Sequence, residues 1–199
     1  MLLSEHQFAS ISRYIDTVLV HLFDPTPLDI ATPLSASELI GEELLQHIRQ
    51  RFQGRCTARG GMETTFVNPI RPEHLDLLQS GLPYQVHYGL IVTDRLLTDQ
   101  SVNILNHGVQ WLAFDWWQWL RRHVPESRYV DALMYLSVSC PRYRTSEAFL
   151  QVGFPDDVMK PMEHEGERLF DAMEAAITSR LLDLWTEGAL QEEEPASKP

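Results

Sequence analysis

The spacing of apolar positions changes several times along the chain, and each change predicts an element. Phe8, Ile11, Ile15, Val18 and Leu22 recur at helical intervals behind a Ser4/Gln7 capping box. They predict an amphipathic helix over residues 4–23, ended by Asp24-Pro25-Thr26-Pro27. A second capping box, Ser35 with Glu38, opens a helix that presents Leu39, Ile40, Leu44, Leu45 and Ile48 and stops near Gly54. Between Arg55 and Asn68, Gly60-Gly61 and the run Thr64-Thr65-Phe66-Val67 predict a turn and a short strand. Pro72 opens a short helix through Leu78, closed by Gly81 and Pro83.

From Tyr84 to Thr93 the period drops to two, with Tyr84, Val86, Tyr88 and Leu90 on one side, so a half-buried strand is predicted there. Residues 99–124 predict a long helix stopped by Pro125. In Tyr129–Cys140 the alternation of Ala132, Met134, Leu136 and Val138 competes with a helix start at Pro125-Glu126-Ser127, and a strand is favoured for the second half. Phe149–Phe154 forms a further candidate strand. The last helix starts between Pro161 and Gly166 and runs to about Thr186 on Phe170, Met173, Ile177, Leu181 and Leu184. The expected fold class is therefore α+β. It is a helix-dominated single domain over 1–190, whose small antiparallel sheet is packed by the N-terminal, the central Trp-rich and the C-terminal helices. A disordered acidic tail over 191–199 follows.

One segment resists a simple amphipathic reading. Four of the five tryptophans fall within nine residues of the predicted central helix. Leu112, Trp116, Trp119 and Leu120 share one core-facing arc, and Trp117 lies just outside it. Trp111 and Phe114 fall on the opposite side, among Asp115, Gln118, Arg121 and Arg122. Either another part of the chain covers them, or they anchor a partner, since tryptophan and arginine are enriched at interface hot spots. The partner-binding set is then Trp111, Phe114, Trp117, Arg121 and Arg122. A rival set for a small ligand, Tyr84, His87, Tyr88, Trp116 and Trp119, would line an aromatic pocket between the strand and the Trp-rich helix.

Charge changes this picture only modestly. The chain carries 28 acidic and 16 basic residues, a net of −12, which disfavours direct nucleic-acid binding and anionic membranes. From Asp156 onward, twelve acidic residues face four basic ones, so the C-terminal helix concentrates the negative charge. The arginine groups at 49–59 and 121–144 are expected to balance that helix internally rather than to bind phosphate. No apolar run is long enough for a membrane helix, and the N-terminus lacks the basic and apolar regions of a signal peptide, so a cytoplasmic protein is expected. The wealth of arginine over lysine fits a GC-rich, bacterial origin.

Candidate chemistry is sparse. The eight histidines form no metal-binding spacing, and His164 between Glu163 and Glu165 cannot share an ion with its immediate neighbours. Cys56 and Cys140 lie far apart and read as reduced, structural thiols. The turn after Cys56 lacks the phosphatase arginine, because Met62 stands in its place, and there is no Walker loop, Gly-x-Gly-x-x-Gly or Gly-x-Ser-x-Gly. His87 and Asp94 would make an acid–base pair only if the chain turned between them, since an extended strand holds them roughly 20 Å apart. No catalytic residue, metal or cofactor is assigned. The expected function is a non-enzymatic adaptor, chaperone or inhibitor that binds a protein partner or itself through the Trp-rich helix and the acidic C-terminal helix. The alternative is a small-molecule-binding protein or enzyme using the aromatic pocket.

Overall fold

The structure is a computed structural model and describes residues 14–23, 36–63, 72–80, 82, 85–94, 99 and 101–192. Its centre is a strand where a helix was expected. Thr17-Val18-Leu19-Val20-His21-Leu22-Phe23 forms β1 (Thr17–Phe23), buried along nearly its whole length. A continuous apolar, β-branched run of this kind suits a parallel strand covered on both faces, where a surface helix would need a polar stripe. The rest of the predicted N-terminal helix lies outside the described residues.

Helix α1 (Ala36–Arg51) follows, then β2 (Cys56–Glu63), α2 (Pro72–Gln79) and β3 (Tyr88–Thr93). The next two strands, β4 (Ser101–Asn106) and β5 (Val109–Asp115), replace the first part of the expected long helix. Their hairpin turns on His107 (φ 44°) and Gly108 (φ 80°). Two consecutive positive φ angles make a two-residue turn whose twist matches the strands it joins. Helix α3 (Trp116–His123) starts directly from β5, capped by Asp115, whose carboxylate accepts from the Gln118 amide at 2.8 Å.

A 3₁₀ turn at Glu126–Arg128 leads into α4 (Tyr129–Ser139), then α5 (Pro141–Arg144), α6 (Glu147–Val152) and the 37-residue α7 (Asp156–Glu192). Both strands expected in this half are helical. In α4 the alternating residues are apolar because the helix is packed on two sides, and Ser137 and Ser139 return their hydroxyl protons to the carbonyls four residues back. Ser146 caps α6, and Gly153 ends it in a left-handed conformation (φ 61°). Residues 193–199 of the predicted tail lie outside the described residues.

The sheet order is β2-β1-β3-β5-β4. Three strand pairs are parallel and only β4–β5 is antiparallel, which corrects the expected antiparallel sheet. The helix-dominated α+β architecture stands. One face is covered by α1, α4 and α7 over Leu19, Leu90, Leu112 and Phe114. On the other, Leu75 and Leu78 of α2 meet Val18, Val20, Ile91 and Trp111. Gly89 of β3 pairs with Trp111 of β5, and a Cβ there would come within 2.2 Å of the indole. The missing side chain is what seats the tryptophan flat against the sheet.

Candidate functional site

From β1 the chain crosses by α1 to β2 on one side, whereas from β3 it continues to β4 and β5 on the other. Adjacent parallel strands whose connections diverge create a crevice at their carboxyl ends, where sheets of this type place ligands. The residues at that end are polar. Of the nine buried polar side chains among the described residues, His21, Ser37, Thr93 and Asp94 lie near the carboxyl ends of β1 and β3, and Asp115 ends the next strand, β5.

Each is positioned by a specific element. His21 is the fifth residue of β1, on the face that α1 covers, and is 2% exposed. Its imidazole lies 5.1 Å from the Phe23 ring and directly beneath Gly41, where a Cβ would come within 2.0 Å of Nε2. Nε2 has no hydrogen-bond partner among the described residues. Burial pushes this imidazole down to about 4, so it is neutral at physiological pH. Ser37, in the first turn of α1, donates to Asp94 Oδ2 at 2.5 Å, tying the helix to the residue that follows β3. Ser37 and Gly41 are one helical turn apart on α1 and so lie on the same face of that helix. Thr93 and Asp115 are register partners on β3 and β5, and the Asp115 carboxylate caps α3.

The arrangement offers hydrogen-bond acceptors. Ser37 spends its proton on Asp94 and leaves its oxygen lone pairs, the Asp94 carboxylate accepts, and neutral His21 brings one donor and one acceptor nitrogen. Among the described residues no three His, Cys, Asp or Glu side chains are placed to hold a metal ion. No described helix is long and apolar enough to cross a membrane.

The residues singled out from sequence fall elsewhere. Trp111 and Phe114 lie on β5, not on a helix, 0% and 1% exposed and on opposite faces of the sheet. A strand buried on both faces is apolar on both sides, and that accounts for the surplus aromatics without a partner. Trp117 is half-buried on α3 with its ring 5.5 Å from Tyr129, while Arg121 and Arg122 are exposed and Arg122 pairs with Asp99 at 2.5 Å.

The aromatic pocket is not assembled. Tyr84 lies outside the described residues, His87 is exposed and Tyr88 buried at the amino end of β3, and Trp116 and Trp119 are buried at the opposite end of the sheet. His87 and Asp94 flank β3 from opposite ends and do not meet. The amino end carries its own polar cluster. Arg55 grips Asp16 through Nε and Nη2 and lies 3.8 Å over the Trp185 ring, whose Nε1 donates to Thr17 at 3.0 Å. Asp16, Arg55, Thr17 and Trp185 thus satisfy one another.

Both cysteines are buried, and burial raises both thiols, Cys56 to about 12. Neither is a nucleophile at neutral pH. Of the two arginine groups, Arg51 pairs with Glu174 at 2.8 Å and Arg144 with Glu163 on the acidic helix, whereas Arg55, Arg122 and Arg142 pair with Asp16, Asp99 and the α1 residues Glu38 and Glu42.

Sequence reasoning placed His21 on a helix and did not single out Ser37 or Asp115. The available signal was an acidic residue closing each of two apolar runs, Thr93-Asp94 and Phe114-Asp115. No family model matches this chain, and no curated protein and no solved structure is significantly similar to it.

Proposed function

We propose that this chain is a small-molecule-binding protein whose site is the crevice at the carboxyl ends of β1 and β3, with Asp94, Ser37 and His21 as its polar contacts. One observation carries the reading: three of the nine buried polar side chains among the described residues, His21, Ser37 and Asp94, lie on the α1 side at the carboxyl ends of β1 and β3. A core that only had to fold would gain from apolar residues there, because each buried polar group costs free energy unless it is fully hydrogen-bonded. The Asp94 carboxylate repels phosphates and carboxylates, and the neutral imidazole adds one donor and one acceptor. They suit a neutral or cationic ligand that donates through amine or hydroxyl groups.

The test is a thermal-shift screen of small amines and polyols on the wild type and on Asp94→Asn. Compounds that raise the Tm of the wild type and lose that effect in the variant support the site. Hits that stabilise both proteins equally place the ligand elsewhere.

A second reading, self-association as a protein-binding module, rests on β4. This edge strand pairs with β5 on one side only among the described residues and leaves Leu105 71% exposed. An edge of that kind can pair with the same edge of a second copy. Sedimentation of the wild type against Leu105→Lys tests it, and a monomer at every concentration rejects it.

A further inference from the structure

Pro125 stops α3, and the chain turns through Glu126–Arg128 into α4 while α7 passes alongside. Between these elements lies a recess of about 160 Å³ with a polar lining of His123, Arg128, Tyr135, Glu165 and Arg168. The one carboxylate is already engaged, since Arg168 donates to Glu165 Oε2 through Nε at 3.1 Å and Nη2 at 2.9 Å. Arg168 keeps its other terminal nitrogen, and Arg128 has no ion pair among the described residues.

His123 is held in a fixed pose, its ring stacked on Trp119 at 4.2 Å with Nδ1 2.7 Å from the Trp119 carbonyl. A carbonyl only accepts, so Nδ1 carries the proton and a neutral ring leaves Nε2 as an acceptor. Val124 and Leu169 supply apolar walls. On a chain of net charge −12, two guanidinium groups and one carboxylate leave the lining of this recess with one positive charge, a local reversal of sign.

We infer that this recess binds a small phosphate monoester, independently of the switch-point site. Planar guanidinium forks match phosphate oxygens, the Tyr135 hydroxyl adds a donor, and His123 Nε2 can accept from a protonated phosphate oxygen or a ligand hydroxyl. The apolar walls favour an ester with a short carbon chain over the bare anion.

Calorimetry and amide NMR with ethyl phosphate, inorganic phosphate and sodium chloride at matched ionic strength test this on the full chain. Saturable binding of ethyl phosphate, with shifts centred on residues 123–135 and 165–169, is expected. Arg128→Gln and Arg168→Gln should each weaken it about tenfold or more. Tyr135→Phe should weaken it less, and Arg180→Gln, an exposed arginine outside the recess, should leave it unchanged. Binding of inorganic phosphate alone would overturn the monoester assignment. A linear response matched by chloride, or saturable binding that survives both Arg128→Gln and Arg168→Gln, would overturn the site.

Discussion

Replacing His21 by leucine should make the protein more stable at neutral pH. The imidazole is buried with Nε2 unpartnered among the described residues, and such a group costs about 1–3 kcal/mol. Against this, leucine gives up the ring contact with Phe23, worth about 0.5–1.5 kcal/mol. The net expectation is a gain of about 1 kcal/mol at pH 7.5.

The pH dependence is the sharper part. His21 is held at about 4 in the fold, against 6.5 when unfolded. Between those values the unfolded chain binds the extra proton, so stability increases as the pH is raised through this window and levels off above it. From pH 7.5 down to pH 5 the histidine should cost the wild type about 2 kcal/mol, and about 3 kcal/mol near pH 4, at 1.36 kcal/mol per unit. Urea unfolding of both proteins at pH 7.5, 6 and 5 isolates this contribution, because other titrating groups cancel in the difference. A difference that stays flat with pH, or a leucine variant less stable at pH 7.5, would refute the reasoning.

Other outcomes follow from the same geometry. His47 bridges α1 and α7, with Nε2 3.4 Å from Glu43 and Nδ1 3.3 Å from Glu174, and the Glu43 hydrogen bond leads the forces that raise its pKa. Its contribution to stability is therefore full below pH 6.5 and lost as the pH rises through the folded value; His47→Gln should remove that dependence in the same unfolding series. Gly166→Val should cost about 1–3 kcal/mol by urea unfolding, because even a Cβ would lie 1.9 Å from Ser139 Oγ and 2.2 Å from the Tyr135 carbonyl oxygen where α7 crosses α4. A cost below a few tenths would mean that the helices separate freely. Cys56 and Cys140 should resist iodoacetamide at pH 8 in native buffer and react fully in denaturant, and native labelling at the rate of a free cysteine would contradict their burial.

The helical half of the fold was legible where one face of a helix meets solvent. Leu39, Ile40, Leu44, Leu45 and Ile48, and later Phe170, Met173, Ile177, Leu181 and Leu184, are buried as their spacing predicts. Reading failed where an element is covered on both sides. β1, β5 and α4 carry near-continuous apolar runs, and periodicity alone does not separate a doubly covered strand from a buried helix. The hairpin at His107-Gly108 was missed because this pair is not one of the Asn-Gly, Asp-Gly or Gly-Gly signals of a two-residue turn, and with it went the strand that holds Trp111. The site stayed hidden for a related reason. His21, Ser37 and Asp94 are far apart in sequence and come to one end of the sheet only through parallel strand order.

Amide NMR during titration with an amine or polyol from the screen tests the switch-point site most directly. The first and largest shifts should fall on Leu22–Phe23, Ser37–Gly41 and Thr93–Asp94, and Ser37→Ala should weaken them. Largest shifts at His87–Tyr88, or a screen in which no amine or polyol binds the wild type, would contradict a ligand site at the carboxyl ends of β1 and β3.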